Sequence, residues 1–114
     1  MIEILVGLNV LNPDGYQAYR EKMTPLLTNV GGHFRYDFTI AQTLKSETDH
    51  KINRVFVIRF PDVESKDKLF KSDEYQQIKQ QFFEKSVQST TIISEYEQES
   101  EANLNLNRQE NDDE

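Results

Sequence analysis

Apolar and polar residues alternate along the first ten positions. Ile2, Ile4, Val6, Leu8 and Val10 fall on one side; Glu3, Leu5, Gly7 and Asn9 fall on the other. A period of two over this length predicts a strand with one apolar face. The period then changes. Asn12 can cap a helix, Pro13 suits its first position, and Asp14 suits the positively polarised first turn. Tyr16, Tyr19, Met23, Leu27 and Val30 recur at helical spacing and form one apolar stripe. Pro25 falls inside that stripe. An interior proline costs ~3 kcal/mol in a straight helix, so a kink or break is expected near Thr24. Gly31-Gly32 ends the helix, because glycine accepts the left-handed backbone of a C-terminal cap.

His33 to Thr43 alternates again, with Phe34, Tyr36, Phe38 and Ile40 on one face and His33, Arg35, Asp37 and Thr39 on the other. Lys45 to Asn53 is polar and unpatterned, a loop that joins two strands as a long hairpin. Arg54 to Phe60 is the third strand, dividing Phe56, Ile58 and Phe60 from Val55, Val57 and Arg59. Asp62 to Lys71 reads as a short helix. Ser72 caps a further helical stretch in which Asp73 and Glu74 suit the first turn and Tyr75, Ile78 and Phe82 continue the stripe. Thr90 to Tyr96, rich in β-branched residues, is the last strand. Twice, then, an apolar strand runs into Pro-Asp and on into a helical pattern. The order βαββαβ predicts an α+β, ferredoxin-like domain: a four-stranded antiparallel sheet with helices on one face.

The helices are expected to cover Ile4, Val6, Leu8, Phe34, Tyr36, Phe38, Phe56, Ile58 and Phe60. The open face then carries Glu3, Leu5, Gly7, Asn9, His33, Arg35, Asp37, Val55, Val57, Arg59, Ile93 and Glu95. A fully solvated face would carry fewer Leu, Val and Ile. Such a mixed surface suits burial against a second copy of the chain, with polar groups lining a cavity. One β-bulge would invert part of this assignment.

Composition bounds the function classes. The 114 residues allow one domain, and the absence of cysteine removes disulfides, thiolate metal ligands and a thiol nucleophile. A reducing, cytoplasmic setting fits. No signal-peptide pattern opens the chain, and no apolar run approaches the ~18 residues of a membrane span. The net charge of −7 is concentrated at one end: residues 97–114 hold seven acids and Arg108, a net of −6, and leave −1 for residues 1–96. The domain is therefore read as 1–96, followed by an acidic, solvated tail with few apolar residues. That tail could also dock on a basic partner, or Leu104 and Leu106 could anchor it on the body or on a neighbouring subunit.

The candidate pocket residues are Asn9, His33, Arg35, Asp37 and Arg59. His33 has the chemistry of a proton donor or acceptor, or of a metal or haem ligand, but it also reads simply as a polar residue at a strand start. Arg35, Asp37 and Arg59 could hold an anion or pair with one another. Tyr16, Tyr19 and Tyr75 read as core residues with satisfied hydroxyls. No phosphate loop, zinc spacing, serine-hydrolase signature or dinucleotide fingerprint is present, so no cofactor or metal is expected. Nucleic acid is not an expected partner, because the central strands offer no stacking aromatic on the open face and the body is slightly acidic.

The chain resembles a family known only as a domain of unknown function (DUF1330), of the dimeric α+β barrel superfamily. The resemblance rests on Pro13-Asp14-Gly15-Tyr16 with Tyr19, Pro25-Leu26-Leu27, Gly31-Gly32-His33-Phe34, Val55 to Asp62, and Ser72-Asp73-Glu74-Tyr75-Gln76. It spans nearly all of residues 2–96 and implies a subunit that pairs sheet to sheet with a second copy. It implies no catalytic residues. The mixed open face leads first to a homodimeric protein that binds a small molecule in a cavity on that face. The wider superfamily includes cofactor-free monooxygenases, small isomerases and haem-handling proteins, so a cofactor-free oxygenase or isomerase is a second expectation, and a structural or regulatory dimer with no ligand is a third. The family typically has Glu where Arg59 stands, Arg where His33 stands, and often Arg near Phe82. Arg59 is thus expected to reverse the charge at its site.

Overall fold

A computed structural model describes residues 1–98. Strand β1 (Ile2–Val10) leads into helix α1 (Pro13–Asn29), followed by β2 (His33–Thr39) and β3 (Arg54–Phe60). Helices α2 (Val63–Phe70) and α3 (Asp73–Ile78) come next. Helix α3 continues through a π-helical turn (Lys79–Phe83) into the short α4 (Glu84–Ser86), and β4 (Val87–Glu97) closes the order. The sheet runs β2-β3-β1-β4 with every neighbouring pair antiparallel. This is the expected ferredoxin-like α+β architecture. The acidic segment beyond Gln98 lies outside the described residues.

The caps read from sequence are the ones that form. Asn12, Asp62 and Ser72 each accept a hydrogen bond from a backbone N–H three residues on, starting α1, α2 and α3. Gly31, at φ +82°, turns the chain out of α1, a backbone that a side chain disfavours. The expected interruption at Pro25 does not occur: α1 continues from Pro13 to Asn29 without a break. The packed face of the helix, with Tyr16, Tyr19, Met23 and Leu27 buried on both sides of the proline, holds the element together.

The core lies between the sheet and the helices. Ile4, Val6 and Leu8 of β1 and Phe56, Ile58 and Phe60 of β3 pack against Tyr16, Tyr19, Met23 and Leu27 of α1, with Leu69 and Tyr75. The two central strands pair in unbroken register from Ile2↔Phe60 to Leu8↔Arg54. Register shifts occur only where the edge strands meet them. In β2, Phe34 faces Ile58 and Tyr36 faces Val57, so Arg35 is an inserted residue. In β4, Ser94 faces Leu5 and Ile92 faces Val6, which inserts Ile93; a second shift inserts Gln88.

The bulge at Arg35 corrects the expected faces. Tyr36 and Phe38 lie opposite Val57 and Val55 on the open face, about half exposed and stacked 6.1 Å apart. Asp37 moves to the helix side, opposite Phe56. Glu95, expected on the open face, pairs with Ile4 and reaches Lys66 of α2 at 2.8 Å. An insertion of one residue exchanges the two sides of everything that follows it.

Candidate functional site

Between sheet and helices lies a partly open cavity of about 300 Å³. Its floor is Ile4, Val6, Leu8, Phe56 and Ile58. Tyr16, Tyr19 and Met23 of α1 form one wall, and Phe70, Tyr75, Lys79 and Phe83 form another. The size is at the lower end of small-molecule sites, ~300–1,000 Å³, and the lining is mostly apolar with a few polar groups.

Three tyrosines belong to these walls, and each is hydrogen-bonded through its hydroxyl. Tyr19 and Tyr75 share a hydrogen bond of 2.7 Å across α1 and α3, with rings 6.3 Å apart edge to face. Tyr16 accepts 2.7 Å from Nε of Arg20 and stacks on Tyr19 at 5.7 Å. Burial pushes all three hydroxyls above the ordinary tyrosine range, and in Tyr16 it outweighs the lowering effect of Arg20. They remain neutral hydrogen-bonding groups at physiological pH. The π turn brings a further aromatic into the wall. Phe83 lies 5.0 Å from Tyr19, its ring tilted by 60°, and lines the cavity. Phe82, expected on the stripe, is half-buried at the side of the core and lies 5.4 Å from the ammonium of Lys22. A π turn adds one residue to a helical turn and so rotates the residues that follow.

Beside the cavity, Arg20 is 9% exposed and lies on the packed face of α1. Its guanidinium covers the Phe34 ring at 3.7 Å from the centroid and comes within 3.3 Å of Asp37. Asp37 is also held by both arms of Arg54, at 2.7 and 2.8 Å. Partial burial raises the Asp37 carboxyl, but hydrogen bonds and charge from Arg54 and Arg20 overcome it and hold the group below the ordinary carboxylate value.

The open face carries a second polar group. Glu3 and Arg59 are register partners on β1 and β3, 1% and 2% exposed, with Nε of Arg59 3.3 Å from the Glu3 carboxylate. Arg35 donates to the same carboxylate oxygen at 2.9 Å, and the Tyr96 hydroxyl donates to the other at 2.9 Å. Hydrogen bonding to Glu3 raises Arg35 above the ordinary arginine value. Arg59 therefore faces a carboxylate on the adjacent strand, and the expected charge reversal is offset by Glu3.

The candidate residues are thus divided. Arg35 and Arg59 converge on Glu3, and His33 is an exposed register partner of Arg59. Asn9 sits toward the other end of β1, donating to Gln88 at 2.7 Å and accepting from Asn53 at 3.3 Å. Asp37 is on the opposite side of the sheet with Arg20 and Arg54. None of the five lines the helix–sheet cavity. Arg20 and Lys79 were passed over in the sequence. Arg20 was legible, since it is four residues after Tyr16 and three before Met23, a cation on the buried stripe that needs a carboxylate. Lys79 was legible as four residues after Tyr75. Among the described residues no three carboxylates or histidines gather as a metal-binding group, and no helix is long and apolar enough to cross a membrane.

Comparison with known proteins places this geometry. No protein of curated function matches the chain. Among solved structures it is similar to a protein of unknown function, RPA0582 from Rhodopseudomonas palustris, at 18% identity and TM-score 0.69, over 87% of this chain and 82% of that one. It is also similar to an uncharacterised NIPSNAP domain protein from Burkholderia xenovorans, at 11% identity and TM-score 0.61, covering 89% and 97%. A third similar structure, At3g17210 from Arabidopsis thaliana, has 12% identity and TM-score 0.58, covering 88% and 97%. At these identities the likeness is one of fold, the ferredoxin-like α+β fold. The profile of one sequence family matches residues 4–96, nearly the whole described domain, and by that match the chain belongs to the domain of unknown function family DUF1330.

Proposed function

We propose that this protein binds a small, largely apolar molecule in the helix–sheet cavity and works as a homodimer paired through its open sheet face. The observation that carries the binding reading is the cavity itself. A core of this size normally closes to crystal-like density. Here an apolar space of about 300 Å³ remains, with the hydrogen-bonded Tyr19 and Tyr75 in its wall. The pairing reading is supported by the open face, where Tyr36 and Phe38 are half exposed beside Val55, Val57 and the Glu3–Arg59–Arg35 group.

Ile92 provides the test. It lines the cavity yet is 58% exposed, so a larger side chain at this rim blocks the space without overpacking the core. In a thermal-shift screen of small apolar compounds, those that stabilise the protein should lose their effect on Ile92→Trp. Equal shifts in both proteins, or no stabilising compound at all, would remove the binding reading.

A further inference from the structure

The cavity has one charged residue in its lining. Lys79 is half-buried there, and no Asp or Glu is among the lining residues. Two other lysines have a carboxylate in reach: Lys66 reaches Glu95 at 2.8 Å, and Lys71 reaches Asp67 at 3.7 Å. Lys79 has no carboxylate within 4 Å among the described residues. It lies four residues after Tyr75, on the same side of the helix, so its stem and the Tyr75 ring share one cavity wall. The Tyr19–Tyr75 bond uses one of the two hydroxyl protons. Whichever tyrosine donates, the other keeps a proton to give, with no acceptor bonded to it among the described residues. The wall therefore offers a cation and a hydroxyl donor, while the floor offers only hydrocarbon and aromatic surface.

We infer that the ligand is an apolar molecule ending in a carboxylate, its body on the Ile4–Val6–Leu8 floor and its head group at Lys79. A carboxylate accepts hydrogen bonds and carries the charge that the ammonium lacks, and a partly desolvated pair of this kind is stronger than one in open water. A neutral alcohol of the same length can fill the space but cannot neutralise Lys79. The inference rests on the cavity reading above, and the experiment separates the two.

Octanoate and 1-octanol are titrated calorimetrically into the full chain and into Lys79→Met, which keeps the aliphatic stem and removes the charge. The expected result is octanoate binding at least tenfold tighter than octanol to the unaltered protein. Lys79→Met should abolish that preference while leaving octanol binding unchanged, and Lys79→Arg should preserve it. Thermal melting of each variant without ligand verifies that the fold is intact. Equal affinity for the two probes, or a preference that survives Lys79→Met, overturns the carboxylate assignment and leaves the cavity reading standing. Binding of neither probe, together with no effect of Ile92→Trp in the screen, overturns both.

Discussion

Asp37 shows how one residue joins two readings of this chain. In the sequence His33-Phe34-Arg35-Tyr36-Asp37-Phe38-Thr39 alternates without a flaw, and nothing in that pattern marks Arg35 as inserted. The contradiction lies elsewhere, on α1, where Arg20 takes a place among the buried tyrosines. A guanidinium at that position requires an anion on the helix side of the sheet, and the bulge delivers Asp37 to it. Asp37→Asn should accordingly destabilise the protein by roughly 2 kcal/mol. That is below the 3–5 kcal/mol for breaking a fully buried pair, because Asp37 is one-third exposed and partly screened. The pH dependence has a definite sign. The folded Asp37 carboxyl titrates below its ordinary value of 3.8, so its contribution is complete above that value and is lost as the pH falls through the folded pKa. Urea unfolding of both proteins should show the full difference at pH 6 and a shrinking one below about pH 4. A difference that is constant with pH would mean that Asp37 acts through packing and not through its charge.

At the scale of elements, periodicity and capping residues located nearly everything. The strand at Ile2–Val10, the caps at Asn12, Asp62 and Ser72, and the glycine stop at Gly31 all form as local chemistry requires. Two elements departed because tertiary contacts overrode local preference. The last helical stretch extends through a π turn to Ser86, which turns Phe83 toward Tyr16 and Tyr19. Helix α1 runs on past Pro25, with residue 25 unable to donate to the carbonyl of Glu21. The helix thus tolerates its proline at a cost. Pro25→Ala should raise stability by about 2 kcal/mol: roughly 3 kcal/mol gained in helix propensity, less up to ~1 kcal/mol from the greater freedom of the unfolded chain. The midpoint of chemical unfolding followed by circular dichroism measures this. A neutral or destabilising outcome would show that the proline ring contributes packing that alanine cannot replace.

For the whole molecule, the fold class and strand order followed from the pattern, whereas the cavity did not. Alternation tells which residues face inward but not whether their volumes fill the space they enclose. Tyr16, Tyr19 and Tyr75 were legible as core residues; that they border an opening depends on the separation of α1 and α3 from the sheet. The open face can be tested at this scale. The full chain should elute with light scattering at twice the chain mass, and Phe38→Glu, at a position 52% exposed, should shift it to a monomer that still unfolds cooperatively, with a melting temperature that no longer rises with protein concentration. A monomeric parent protein at micromolar concentration would sink the pairing model.

The placement of the bulges has a further consequence for solubility. All three inserted residues, Arg35, Gln88 and Ile93, belong to the edge strands β2 and β4, while the central pair runs without interruption. An unprotected edge is a template on which a stray strand can add, the first step toward fibrous aggregation. Interrupted edges present a broken row of donors and acceptors that an incoming straight strand cannot match. Growth by sheet extension is thereby discouraged in both lateral directions.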